Sequence, residues 1–149
     1  MTLAPEEALS RSPVFEMLSP AELAALAKLC RSVSWRAGEV VFREGDPGAS
    51  LFVLTAGEVE VLHAHGGTEK VIAVLPAPAA FGEMALVDRE ARSATVRART
   101  ESEALELTAE AFTAFRKRSR DGFTFVVINV ARILSSRLRE TSQRLAAHL

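Results

Sequence analysis

The stretch FGEMALVDREARSATVRA, residues 81–98, places a carboxylate, Glu83, and a guanidinium, Arg92, on either side of a short apolar run, just after Gly82. Opposite charges set this way form either a structural ion pair at a sheet corner or two halves of a site for a ligand carrying both a hydroxyl and an anion. Phe81 closes a strand-like run, and GEMAL fits one helical turn whose first N–H groups have no partner inside the helix. Such a turn offers donors and partial positive charge to a phosphate, and Gly82 lets backbone and ligand come close. Arg92, expected on the next strand, pairs with the same anion, and the Ser93 hydroxyl donates beside it. Glu83 repels an anion but accepts from a sugar hydroxyl. The ligand so described is a nucleotide whose phosphate is pinned close to its sugar.

The surrounding segments must hold these groups. SPAELAALAKLC has Ser19, then Pro20 and Glu22, a capping box that opens an amphipathic helix with Leu23, Leu26 and Cys30 on one face. After it come short β-rich runs divided by turn clusters at Ala37-Gly38, Glu44 to Ser50 and Ala56-Gly57, with a hairpin turning at Gly66-Gly67. Roughly seven or eight such strands predict a mainly β protein with flanking helices, a small antiparallel β-barrel or jelly roll. From Thr108, a cap, the pattern is helical again: a short helix, a break at Asp121-Gly122, and a long helix over about 121–147. Along it Val127, Ala131, Leu134, Leu138, Thr141 and Leu145 follow 4,3,4,3,4 spacing, a coiled-coil seam that predicts a homodimer through this helix. Packing of the helix on its own domain is the alternative. The expected organisation is one domain: a helical N-terminus 1–31, a barrel 32–107 and C-terminal helices 108–149.

Composition narrows the function classes. The 149 residues are 48% apolar and 25% charged, enough for a real core without metals or disulfides. Lys+Arg 18 against Asp+Glu 19 leaves no global field toward nucleic acid or an acidic membrane. The basic run Arg116, Lys117, Arg118, Arg120 reads as a solvated helix end complementing the helix dipole. The single cysteine, Cys30, excludes an internal disulfide and reads as a small core residue. The opening MTLAPEEALSRSP lacks the apolar core of a signal peptide, and no run approaches a membrane span, so the expected location is the cytoplasm.

The pattern F-G-E-x-A-L followed by R-[AST]-A-[TS]-V is met by Phe81, Gly82, Glu83, Ala85, Leu86 and by Arg92, Ser93, Ala94, Thr95, Val96. It resembles the phosphate-binding cassette of cyclic nucleotide-binding domains, the family of the catabolite activator protein, protein kinase A regulatory subunits and cyclic-nucleotide-gated channels. GDPGASLFVLTAGEVEV resembles that family's glycine-rich barrel strands. The resemblance implies a sensor that binds a cyclic nucleotide, cAMP before cGMP, with no cofactor and no catalysis. Glu83 would hold the ribose 2′-hydroxyl and Arg92 the cyclic phosphate, with Ser93 and backbone amides over Gly82, Met84 and Ala85 completing the anion cradle. Thr141 and Ser142 resemble a pair that faces adenine from the long helix, whereas Ser93 and Thr95 would suit a syn guanine. Arg89 and Ala91 stand where many members have glycine and proline, which implies a less rigid loop. With no tyrosine and Trp35 far back in the chain, no aromatic lid is expected.

Ligand entry is expected to draw the cassette onto the phosphate, shift Leu86 against a hinge near Asp121-Gly122 and move the long helix. No residues follow that helix to build a helix-turn-helix, so the expectation is a sensing module alone, or a fragment, read by an effector protein. Two alternatives belong to other classes. Gly57, His63, His65 and Glu69 satisfy G-x5-H-x-H-x3-E, which resembles the first metal motif of cupins and would make the chain a metal-dependent enzyme. Against it, Pro76 replaces the closing glycine, and a second motif is missing. The other alternative is a degenerate barrel serving as a protein-interaction module.

Overall fold

The computed structural model describes residues 2–148. The N-terminal part holds α1 (Pro5–Ser10), a 3-10 turn (Pro13–Phe15) and α2 (Pro20–Leu29). The capping box forms: Glu22 N–H donates to Ser19 Oγ at 3.2 Å and Ser19 N–H to Glu22 Oε1 at 2.9 Å. α2 stops one residue early, so Cys30 caps its C-terminus instead of lying on its face. The thiol still packs against the core, and burial pushes its pKa up to about 12.

Eight strands follow: β1 (Arg31–Trp35), β2 (Val40–Phe42), β3 (Ser50–Ala56), β4 (Glu58–His65), β5 (Thr68–Pro76), β6 (Ala80–Phe81), β7 (Thr95–Ala98) and β8 (Ser102–Thr108). They make two four-stranded antiparallel sheets, β1-β8-β3-β6 and β2-β7-β4-β5, a jelly roll. Of the two expected forms, barrel or jelly roll, the sheets make the jelly roll and do not close into a barrel. β6 has two residues and β2 three, too short to stitch one sheet's edge to the other's. Gly66 and Gly67, with φ of 59° and 81°, turn the β4–β5 hairpin as its two-residue loop requires.

β3 shows why an almost wholly apolar strand is needed. Its period of two sends Phe52 and Leu54 into a core between the sheets and Leu51 and Val53 into a second core beneath the helices. In the first, Phe52 stacks on Phe81 at 5.4 Å and meets the edge of Trp35 at 5.7 Å, so Trp35 is structural. In the second, Phe15, Leu26, Phe112, Phe115 and Val126 bind the N- and C-terminal helices to that sheet.

Thr108 caps α3 (Ala109–Arg118), accepting from Ala111 N–H at 3.0 Å. α4 (Arg120–Ala147) begins directly after Ser119, so the break precedes Asp121-Gly122, which lies in the helix's first turn. Ser119 Oγ caps α4 by accepting from Gly122 N–H at 3.0 Å and donates a short hydrogen bond to Glu22 Oε2. Gly122 is there for space: a Cβ would stand 2.7 Å from Glu22 Oε2 and 2.9 Å from the Phe115 ring. Seven residues on, buried Asn129 donates to the carbonyls of Val14 and Glu16 at 3.1 and 2.8 Å. The first half of α4 is therefore pinned to the N-terminal helices, while Leu134, Leu138 and Leu145 of the seam are exposed. Among the described residues no helix is long and apolar enough to cross a membrane.

Candidate ligand site

β6 delivers the chain to Gly82, whose φ of 77° starts a single 3-10 turn, Glu83–Leu86. A Cβ on Gly82 would lie 2.7 Å from Arg92 Nη1 and 3.0 Å from Ser50 O, so glycine is required for both conformation and space. The turn carries the Glu83 side chain inward until only 4% of the residue is exposed. Ala85 N–H donates to Gly82 O at 3.1 Å, so that amide is already used within the turn.

Arg92 does not sit on a strand. It lies in the loop before β7, stitched to the turn after β2: its N–H donates to Asp46 O at 2.8 Å and its carbonyl accepts from Gly45 N–H at 2.9 Å. Its guanidinium stands over the Phe42 ring, 4.0 Å from the centroid, and Nη2 donates to Ser50 O at 2.7 Å. Nη1 reaches Gly82 O at 3.5 Å, and buried Nε has no hydrogen-bond partner. Burial lowers the guanidinium's pKa, while the charges of Glu106, Asp46 and Glu83 oppose that shift, so it stays protonated.

Glu83 and Arg92 are not paired with each other. The carboxylate instead meets Arg137 of α4, whose Nη1 is 2.5 Å from Oε1; the approach is an ion-pair contact without the alignment of a hydrogen bond. Arg137 was absent from the sequence-based set. Its signal was its place one helical turn before Thr141, on the face of the long helix turned to the sheets.

These groups converge on a cavity of about 600 Å³. Gly82, Glu83, Met84, Ala85, Arg92 and Ser93 all line it, as does Arg137, and Val61, Ile72, Ala73 and Leu75 give it an apolar wall. Thr141 and Ser142 are not brought to it: both are exposed, and Thr141 Oγ1 donates back to Arg137 O at 2.9 Å. Thr95 also stays off the wall, its buried hydroxyl accepting from Glu44 N–H at 2.9 Å. Arg89 reaches Glu110 at 3.5 Å on the surface. His63 lines the cavity but His65, at the hairpin turn, does not, and no group of three or more His, Cys, Asp or Glu among the described residues is placed to hold a metal.

The open jelly roll flanked by helices carries this cassette at its cavity. Residues 32–119 match the family model described as cyclic nucleotide-binding domain, and the chain belongs to that family. It is similar to the cyclic AMP receptor protein of Thermus thermophilus, 33% identical over 135 residues that cover 90% of this chain and 61% of the relative. It is also similar to the cAMP-dependent protein kinase regulatory subunit of Emericella nidulans, 35% identical over 107 residues, 72% of this chain and 26% of that protein. The solved N-terminal domain of a transcriptional regulator from Streptomyces coelicolor superposes with a TM-score of 0.81 at 32% identity, covering 93% of this chain and 94% of that one. The chain thus spans about three-fifths of the length of the first of these relatives.

Proposed function

We propose that this domain binds a cyclic nucleotide, cAMP in preference to cGMP, without chemistry on it, and reports occupancy by moving the outer half of α4. The observation that carries this reading is the cavity that holds a guanidinium with an unsatisfied edge, Arg92, and a buried carboxylate, Glu83, tied to α4 by Arg137. The cyclic phosphate meets Arg92 and Ser93, which supply charge-assisted donors. The ribose hydroxyl donates to Glu83, and the purine lies along Val61, Ile72, Ala73 and Leu75. Two similar proteins are named for cAMP, which favours that nucleotide.

Ribose and Arg137 then share one carboxylate, so ligand and helix position are coupled through Glu83. A ligand moves an equilibrium only by binding one arrangement better than the other, and this shared carboxylate supplies the difference. Ser119, Glu22 and Asn129 pin the start of the helix, so the motion lies beyond them and not at Asp121-Gly122. The seam leucines provide the surface for a second copy or for an effector protein.

The test is calorimetry of cAMP and cGMP with protein refolded to strip carried-over ligand, followed by hydrogen exchange across α4. Micromolar or tighter binding with altered protection beyond Asn129 is expected, with cAMP recovered chemically unchanged. Absence of binding to either nucleotide overturns the ligand; binding with identical protection overturns the transmission.

A further inference from the structure

His63 is the polar side chain on the β4 part of the cavity wall, two residues from apolar Val61 and paired in register with Lys70 of β5. The β4–β5 register shifts between Val61, opposite Ala73, and Leu62, opposite Val71. Ile72 is the extra residue, and this bulge turns it to the cavity beside His63. A carboxylate lies near the imidazole. Its Nδ1 lies 3.5 Å from Glu44 Oε1, and Glu44 is not part of the cavity wall.

Glu44 is itself fixed at both ends. Its carboxylate accepts from Ala64 N–H at 3.2 Å, and its backbone N–H donates to Thr95 Oγ1 at 2.9 Å. The following residues, Gly45 and Asp46, make the two backbone hydrogen bonds to Arg92. One turn therefore contacts both Arg92 and His63, which line the same cavity.

In a neutral imidazole one nitrogen donates and the other accepts, and a carboxylate near Nδ1 favours the tautomer that carries the proton there. Nε2 is left as an acceptor toward the cavity. We infer that His63, oriented by Glu44, reads the nucleobase by accepting a hydrogen bond from the amino group of adenine. This rests on the cyclic-nucleotide reading above and extends it to the base.

The experiment compares cAMP with its purine analogue lacking only the amino group, by competition calorimetry, in wild type, His63→Leu and Glu44→Gln. One net hydrogen bond predicts a wild-type preference for cAMP of about fivefold. The preference falls to about one in His63→Leu and shrinks in Glu44→Gln, which loses the charge that fixes the tautomer. Equal binding of both ligands by wild type, or a preference unchanged in both variants, overturns the inference while leaving the cyclic-nucleotide reading intact. Wild type that binds neither ligand overturns that reading, and the inference with it.

Discussion

Adding one methyl group at Gly82 isolates how the cassette is built. At φ 77° an alanine costs ~1–2 kcal/mol in backbone strain alone. Its Cβ would also stand 2.7 Å from Arg92 Nη1 and 3.0 Å from Ser50 O, and the Ser50 carbonyl belongs to β3 and cannot retreat. The guanidinium must give way by about 0.8 Å to regain an ordinary contact distance. That stretches the 2.7 Å bond from Nη2 to Ser50 O, a charge-assisted contact worth ~1.5–3 kcal/mol. Allowing for relaxation, the total loss is about 3 kcal/mol, or about 6–12 °C in melting temperature for a domain of this size. Gly67→Ala is the control: φ is 81°, but nothing lies within 4 Å of its Cβ, so it bears the backbone cost alone. Calorimetric melting of both variants should place Gly82→Ala several degrees below Gly67→Ala. Nucleotide titration should show an affinity loss of about tenfold or more in Gly82→Ala only, since the displaced group is the proposed phosphate anchor. Equal melting temperatures with wild-type affinity in both variants would refute the reasoning.

Other expectations reach further over the molecule. Arg92→Lys keeps the charge but loses the planar fork, and calorimetry should show cyclic nucleotide affinity reduced about tenfold or more. The hydroxyl of Ser119, then the N–H of Ser19, lower the pKa of Glu22 in the folded chain, so the unfolded chain takes up its proton more readily. The stabilisation is complete at neutral pH and lost as pH falls through the carboxylate range; the stability gap between wild type and Glu22→Gln, measured by urea unfolding, should narrow on acidification. Cys30, its thiol raised to about 12 by burial, should react with a thiol reagent at pH 8 at least ~100-fold slower than a free thiol until the protein is denatured. If the exposed seam is a dimer interface, Leu134→Glu with Leu138→Glu should halve the sedimenting mass; an unchanged sedimentation coefficient removes that interface.

The parts of the site that lie within one stretch of chain were legible in the sequence, because Gly82, Glu83 and Arg92 announce themselves by type and spacing. Arg137 was not, since it meets Glu83 only when the long helix folds back over the cavity. Thr141 and Ser142 were placed by resemblance, yet the helix carries them past the pocket, leaving both on the surface. Alternation revealed the strands and the glycines their turns, but whether two sheets close depends on how many edge residues can pair. β2 and β6 have too few, and their lengths are set by tertiary packing. α1 and the 3-10 turn at Pro13–Phe15 span too few residues to display a helical period. Gly122 looked like a hinge because glycine often marks a break; here it makes room for Glu22 and Phe115.

The buried Asn129 has a mechanical consequence. α4 has 28 residues, so at 1.5 Å per residue it is about 42 Å long. Asn129 grips it about a third of the way along, which leaves a lever arm of about 27 Å out to Ala147, with Arg137 about 12 Å from the fulcrum. A tilt of about 5° that moves Arg137 by ~1 Å against Glu83 therefore carries the tip through more than 2 Å. The gear ratio is set by where along the helix the asparagine sits, so shifting that anchor one turn outward would lengthen the stroke for the same displacement at Arg137 without changing any residue of the pocket.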